Sequence, residues 1–457
     1  MNARTYIWKL IILLCLALPA PAQAQTSAAE YYERGVARIE KDDLDGAMAD
    51  LTRAIELDLK HAKAYALRAR AKGKKGDQNG AIADCNRAIE LAPDLASAYV
   101  TRGKANLHKG DMISAMADLT HAIELAPKDS NAYGNRGYVK VAQGDVDGAI
   151  NDFSRAIELD PKNSIAYIQR GGTKFAKGDA SGAIDDFTRA IELDPKNAEA
   201  YTNRGGVKLM KRDLAGAIAD CSRAIELDLK NANAYAHRGL AKIMIGDFEG
   251  AIADCTRALQ IDPKDSVSYS NRGCAKLYKG DLDGAIADCN YAIKLKPSNA
   301  VAYNNIGLAH SLKRMWTDAL AEFRRCCALD QGWESRARPM LWLARTRVGE
   351  TEAANQELAA YRDKMRKTAP DDWSDKVACF LLGEIKESEF IAGASSQDVK
   401  KDADQHSDAW FWAGMKRLLA GDKTVAADHF RKCLATGAKK DLLPRLAEAE
   451  LKALEVK

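Results

Sequence analysis

Residues 198–231 read "AEAYTNRGGVKLMKRDLAGAIADCSRAIELDLKN", and this stretch decides the fold. The 34 residues before it, "SIAYIQRGGTKFAKGDASGAIDDFTRAIELDPKN" (164–197), are a near copy. The same 34-residue step carries Tyr31, Tyr65, Tyr99, Tyr133, Tyr167, Tyr201, Tyr235, Tyr269 and Tyr303 along the chain. Ala47, Ala81, Ala115, Ala149, Ala183, Ala217, Ala251, Ala285 and Ala319 keep it as well, which gives nine units over 28–333. A fixed period of this length marks a stack of supersecondary units, because one unit alone cannot bury its apolar face.

Each unit reads as two helices, A and B. Helix A runs from "AY" through "RG" to a lysine-rich end. A "GD" pair then follows, as at Gly246-Asp247: glycine takes the left-handed conformation that closes one helix, and aspartate accepts the free amides that open the next. Helix B carries "AIADCNRAIEL" with apolar residues at helical spacing, and proline ends the unit at Pro93, Pro127, Pro161, Pro195, Pro263 and Pro297. The glycine at position 8 (Gly205) and the alanine at position 20 (Ala217) let the two axes approach closely.

Tyr201, Gly205, Ala217, Cys221 and Ala224 fill positions 4, 8, 20, 24 and 27 of the unit and resemble the tetratricopeptide repeat family; Leu229 stands where the family has proline. The resemblance covers about two-thirds of the chain. It implies an all-α fold, a right-handed solenoid of stacked helical hairpins with a concave groove that takes protein or peptide partners.

Cys85, Cys221, Cys255 and Cys289 all fall at position 24, where other units have leucine or phenylalanine. They are expected to be core, since free cysteine behaves as a small apolar residue. Packed helices about 8–10 Å apart also hold such residues too far apart for disulfides. Arginine at position 7 and aspartate at position 23, as in Arg204 and Asp220, are expected to form a ladder of ion pairs; the alternative is arginines open to an anionic ligand. The lysines at position 11, such as Lys208, read as a solvated face.

The candidate binding residues lie on the A helices. Position 6 reads Asn135, Gln169, Asn203, His237, Asn271 and Asn305. A carboxamide both donates and accepts, so one per unit can track an extended peptide backbone. The long O-linked N-acetylglucosamine transferase superhelices use such a row in this way. Other groove positions carry Lys63, Arg70, Lys74, Lys104 and His108 early and Leu240, Met244, Tyr278, Leu308 and Leu312 later. A partner with an acidic part and an apolar part would complement them.

The N-terminus differs. Arg4 and Lys9 precede "LIILLCLALPA", and "APAQA" ends at Ala24. This is the pattern of a secretory signal peptide over 1–24, so the mature chain is expected to be exported, periplasmic or secreted, without a membrane span. The net charge of +4 speaks against a dedicated nucleic-acid binder. Beyond the repeats, 334–406 reads as a helical region, 407–440 as a degenerate tenth repeat and 441–457 as a closing helix. "LWLARTRVGETEAA", "DDWSDKVACFLLGEI" and "AWFWAGMKRLLAGDKTVAADHF" resemble the C-terminal part of bacterial NlpI-type repeat lipoproteins, which implies an adaptor that docks cell-wall hydrolases or proteases. H-E-x-x-H, G-x-S-x-G, C-x-x-C and a phosphate loop are absent, and the seven histidines are scattered. The expectation is thus a non-catalytic scaffold with no cofactor and no metal. The alternative is a cell-wall or glycan hydrolase built around Glu384, Glu387 or Glu389.

Overall fold

The computed structural model describes residues 27–329, 334–368, 373–395, 399–437 and 442–455. The expected signal peptide, Trp333 and the 438–440 end of the expected tenth repeat lie outside them. Every regular element among the described residues is a helix.

The chain divides after Pro195 into two compact units. The first holds five hairpins: α1 (Ala28–Glu40) with α2 (Leu44–Leu57), α3 (Ala62–Lys74) with α4 (Gln78–Leu91), α5 (Ala96–Lys109) with α6 (Met112–Leu125), α7 (Ser130–Ala142) with α8 (Val146–Leu159), and α9 (Ser164–Ala176) with α10 (Ala180–Leu193). The second begins with four more: α11 (Ala198–Met210) with α12 (Leu214–Leu227), α13 (Ala232–Ile245) with α14 (Phe248–Ile261), α15 (Ser266–Lys279) with α16 (Leu282–Leu295), and α17 (Ala300–Leu312) with α18 (Trp316–Leu329). It continues through α19 (Glu334–Arg347), α20 (Thr351–Thr368), α21 (Trp373–Leu382), α22 (Glu387–Ala392), α23 (Val399–Leu419), α24 (Lys423–Ala435) and α25 (Leu443–Glu455).

The "GD" turns behave as their residues dictate. Gly246 sits at φ 88° and Asp247 accepts the Gly250 amide at 2.9 Å. Three turns place Asp42, Arg212 and Arg314 in the same left-handed region, at φ 59°, 62° and 61°. An L-residue there costs about 1–2 kcal/mol.

Inside each hairpin, position 24 packs on position 8. A Cβ on Gly205 would lie 2.8 Å from Cys221 Sγ, and one on Gly137 would lie 2.8 Å from the Phe153 ring, so any larger residue forces the axes apart. Cys85, Cys221, Cys255 and Cys289 are fully buried, like Leu51 and Phe323 at the same position. Burial pushes the thiols of Cys85, Cys221 and Cys255 up to about 12, which leaves them inert at neutral pH. Cys85, Cys221, Cys255 and Cys289 are free thiols.

The charged ladder is present and denser than expected. Arg204 donates from Nε to Asp220 Oδ2 at 2.8 Å and from Nη2 to Oδ1 at 2.7 Å. The same two-pronged contact recurs between Arg136 and Asp152 and between Arg272 and Asp288. The lysine row is not a solvated face. Lys72, Lys140, Lys174, Lys208, Lys242 and Lys276 each place Nζ 2.8 Å from the aspartate of their own hairpin. One buried carboxylate thus bridges two cations, because positions 7 and 11 lie one turn apart on the same helix face. Arg38 and Asn106 do the work of the lysine in the first and third repeats.

The arginines also tie hairpins together. Nη1 of Arg68 donates to Thr52 Oγ1 at 3.1 Å, and Nη1 of Arg238 donates to Ser222 Oγ at 3.0 Å, each in the preceding repeat. The guanidinium carbons stand 4.8–5.7 Å from the rings of the position-4 tyrosines. With donors and π face engaged, these arginines are structural, and the reading of them as an open anion site falls.

Candidate functional site

The faces open to a ligand are those of the A helices turned away from their own B helices. Positions 2, 5, 6, 9, 12 and 13 share that face by helical geometry.

In the first unit, Lys63, Arg70, Lys74, Lys104 and His108 are all exposed there. Lys74 pairs at 3.1 Å with Asp42, in a contact open to water on both sides. Further along, Asn135 and Gln169 are half-exposed. Asn135 Nδ2 donates at 2.8 Å to the carbonyl of Asn131 in its own helix. Beside them Gly134 and Gly172 have nothing within 4 Å of where a Cβ would stand, so helix backbone itself forms the floor. Val141, Ile165 and Phe175 are exposed around it at 45%, 59% and 38%. Across α3, α5, α7 and α9 these face positions contain no Asp or Glu. The face can therefore take an anionic segment at repeats two and three and an apolar one at repeats four and five.

The second unit closes progressively. Asn203 is half-exposed. His237 packs on Gly206 at 3.0 Å, measured from the Cβ position. Burial lowers its pKa against a backbone hydrogen bond to Thr202, so the ring is neutral at pH 7. Asn271 and Asn305 are buried, at 6% and 4% exposure, which corrects the expectation of an open carboxamide row at this end. Asn305 Nδ2 donates to the Ser270 carbonyl at 3.3 Å, and Asn271 Nδ2 has no partner. The reason at Asn305 is geometric: its side chain lies at the seam with the A helix of the preceding repeat. Leu240 and Met244 are half-buried against the cluster of Leu209, Ala217 and Ala241. Tyr278 stacks on Phe248 with centroids 4.8 Å apart. Leu308 and Leu312 are covered by Leu442, as described below.

The three glutamates of the hydrolase alternative occupy different settings. Glu384 is paired with Arg362 and lies 3.5 Å from Arg366. Glu387 accepts two bonds from Arg417, at 2.7 and 3.2 Å, and lies 3.1 Å from His429 Nε2. Burial works against its charge, but these bonds outweigh it and hold the carboxyl below its ordinary value. A glycosidase general acid needs the opposite shift. Glu389 is exposed. Among the described residues no cluster of His, Cys, Asp or Glu could hold a metal ion, and no helix is long and apolar enough to cross a membrane.

These features define a helical-hairpin repeat protein whose exposed chemistry lies on a scaffold face rather than in an enclosed cavity. Comparison with known proteins gives the family. Tetratricopeptide-repeat models match residues 31–61, 62–95 and 96–129, then 137–178 and 171–211, then 210–266 and 271–332. The chain belongs to the tetratricopeptide repeat proteins over this stretch, and such repeats make a protein-interaction scaffold. Among solved structures, the APC/C hetero-tetramer Cut9–Hcn1 matches with a TM-score of 0.51 at 12% identity, over 93% of this chain and 88% of that one. That likeness shows the fold. MamA matches at 30% identity over 36% of this chain and 96% of its own, with a TM-score of 0.33. Yeast Tom70 matches at 17% identity over 88% of this chain and 96% of its own, with a TM-score of 0.37. No curated protein matches the chain.

Proposed function

We propose that this protein is a non-catalytic adaptor of the bacterial periplasm or cell envelope that holds an extended segment of a partner protein on the A helices of its second to fifth repeats. The observation that carries this reading is the acid-free face running from Arg70 and Lys104 to the bare backbone at Gly134 and Gly172. Acidic residues of the segment pair with the basic end. Apolar residues pack near Phe175, and the Asn135 and Gln169 carboxamides meet the peptide backbone between them. The likeness to NlpI-type adaptors suggests cell-wall hydrolases or proteases as the partner class. Export rests on the pattern of residues 1–24.

The test is capture from a periplasmic extract by the full chain. Arg70→Glu with Lys104→Glu is expected to abolish capture, Asn135→Ala with Gln169→Ala to weaken it, and Asn271→Ala to leave it unchanged. Capture insensitive to the basic pair removes the reading. Sequencing the mature N-terminus checks cleavage after Ala24, and turnover of purified peptidoglycan would revive the hydrolase alternative.

A further inference from the structure

A stripe at one-turn spacing starts at Leu442, just before the last helix, and continues on it through Leu446, Glu450 and Leu454. Leu442 and Leu446 are buried as a leucine stripe should be, at 5% and 2% exposure. Glu450 interrupts the stripe and is buried too, at 3%. A carboxylate in that position costs several kcal/mol in lost hydration unless it is met by charge, roughly as for any buried ion. It is met twice, from two other elements. Arg347 on α19 places Nη2 2.8 Å from Glu450 Oε1, and Arg314 in the turn between α17 and α18 places Nη2 3.6 Å from Oε2. Arg347 also lies over the Trp316 ring at 5.1 Å.

Arg314 is one of the three residues that hold the left-handed turn without glycine. Glycine would satisfy that backbone at no steric cost, as it does in six of the nine repeats. The strained arginine brings a guanidinium to Glu450. Leu442 meanwhile joins the apolar cluster of Leu277, Ala309, Tyr278, Leu308 and Leu312, and Arg445 Nη1 comes within 3.5 Å of the Cβ position of Gly280. Helix α25 therefore sits on the A-helix face of the eighth and ninth repeats, the apolar end of the sequence-derived groove.

We propose that this face is a second docking site, specific for a helix that presents leucines at one-turn spacing around a single carboxylate, and that α25 is its internal occupant, held by the Glu450–Arg314–Arg347 latch until a partner helix of the same chemistry replaces it. Buried ion pairs are poor contributors to net stability, and in some proteins they set which helix packs and in which register. The proposal rests on the adaptor reading only for the existence of an outside partner. Its test uses the chain's own helix, so failure here leaves binding at repeats two to five untouched.

The probe is a fluorescein-labelled peptide of residues 442–455, titrated into full-length protein by anisotropy, with hydrogen exchange read at α25 and α17. In Glu450→Lys the resident helix carries a cation against two arginines while the receiving face is intact. That variant is expected to expose α25 to exchange and to bind the probe about 10- to 100-fold more tightly than wild type, the range of an ordinary coupling between competing states. A probe with lysine in place of Glu450 is expected to bind neither protein. Arg314→Gly provides a variant that favours the turn backbone: it is expected to raise exchange at α25, whereas Arg212→Gly, which relieves the same backbone strain elsewhere, is expected not to. Unchanged exchange at α25 in both Glu450→Lys and Arg314→Gly overturns the latch. Equal probe binding by wild type and Glu450→Lys overturns the competition.

Discussion

The regular hairpins and the α23–α24 hairpin use one packing scheme with opposite charge arrangements. In both, a glycine on the first helix faces an aromatic or small apolar residue on the second: Gly137 faces Phe153, and a Cβ on Gly414 would lie 2.6 Å from the Phe430 ring. In a regular hairpin the second helix supplies an aspartate to an arginine and a lysine of the first, so each repeat carries its own buried counter-ion. In α23–α24, counted from Ser407, position 7 is the buried Ala413, position 11 is Arg417 and position 23 is His429. The hairpin has bases where the others have a base and an acid. The missing carboxylate comes from outside, as Glu387 on α22 bridges Arg417 and His429. A hairpin that carries its own counter-ion can be duplicated indefinitely, whereas a hairpin that borrows its counter-ion is fixed to one neighbour.

The comparison breaks first at a buried carboxylate of the ladder. Asp220→Ala leaves Arg204 and Lys208 facing each other at the centre of a repeat, and is expected to cost about 3–5 kcal/mol, as removal of one partner of a buried pair does. Chemical denaturation of the full chain measures it. The exchange Arg204→Asp with Asp220→Arg is expected to recover the loss only when Lys208 is changed to Glu as well. Recovery by the exchange alone would mean that the lysine contributes nothing.

Glu387→Ala is expected to cost less, about 1.5–3 kcal/mol for a charge-assisted bond. It is also expected to release α22 while α23 and α24 stay packed through Gly414 and Phe430. Hydrogen exchange resolves the two: rising exchange confined to 387–392 supports a borrowed counter-ion, and uniform loss across both helices contradicts it.

Gly137→Ala and Gly414→Ala test what the two kinds of hairpin share. Each overpacks the contact with a phenylalanine, and each is expected to cost about 1–3 kcal/mol. A much smaller cost at Gly414, read as a shift in denaturation midpoint, would make the α23–α24 packing looser than the charge comparison assumes.

The smallest expected effect is on acid sensitivity. Burial opposes ionisation of Asp288 and Glu387, but their cationic partners outweigh it, so both folded pKa values lie below their ordinary ones. A depressed carboxylate stabilises above its unfolded value and ceases to do so as pH falls through the folded value. Loss of α22 docking is therefore expected to begin below about pH 4.3, the ordinary glutamate value, and to be absent in Glu387→Gln. A loss on raising pH above neutrality would contradict the assignment.

The hairpin order, the turn chemistry and the core role of the position-24 cysteines were legible in the sequence because they depend on local periodicity repeated nine times. Arg204 and Asp220 could be paired from register alone. Lys208 could have been added by the same reasoning, since one turn separates it from Arg204 on the same face, yet an isolated lysine row reads as solvent-facing. At position 6 the sequence presents one row of polar residues, while Asn135 and Gln169 are partly open and Asn271 and Asn305 are buried. Burial there is set by neighbouring helices, which local pattern does not encode.

By itself, then, the sequence determined the repeating unit and the charges each unit satisfies internally, because those contacts join residues a fixed 16 positions apart within one hairpin. Only the tertiary structure decided which carboxylates serve a neighbour, Glu387 across 30 residues to Arg417 and Glu450 across more than a hundred to Arg347 and Arg314. Glu387 and Glu450 lie outside the nine-fold register, so no repetition reveals their contacts, which depend on how successive helices are stacked rather than on the helix each residue belongs to.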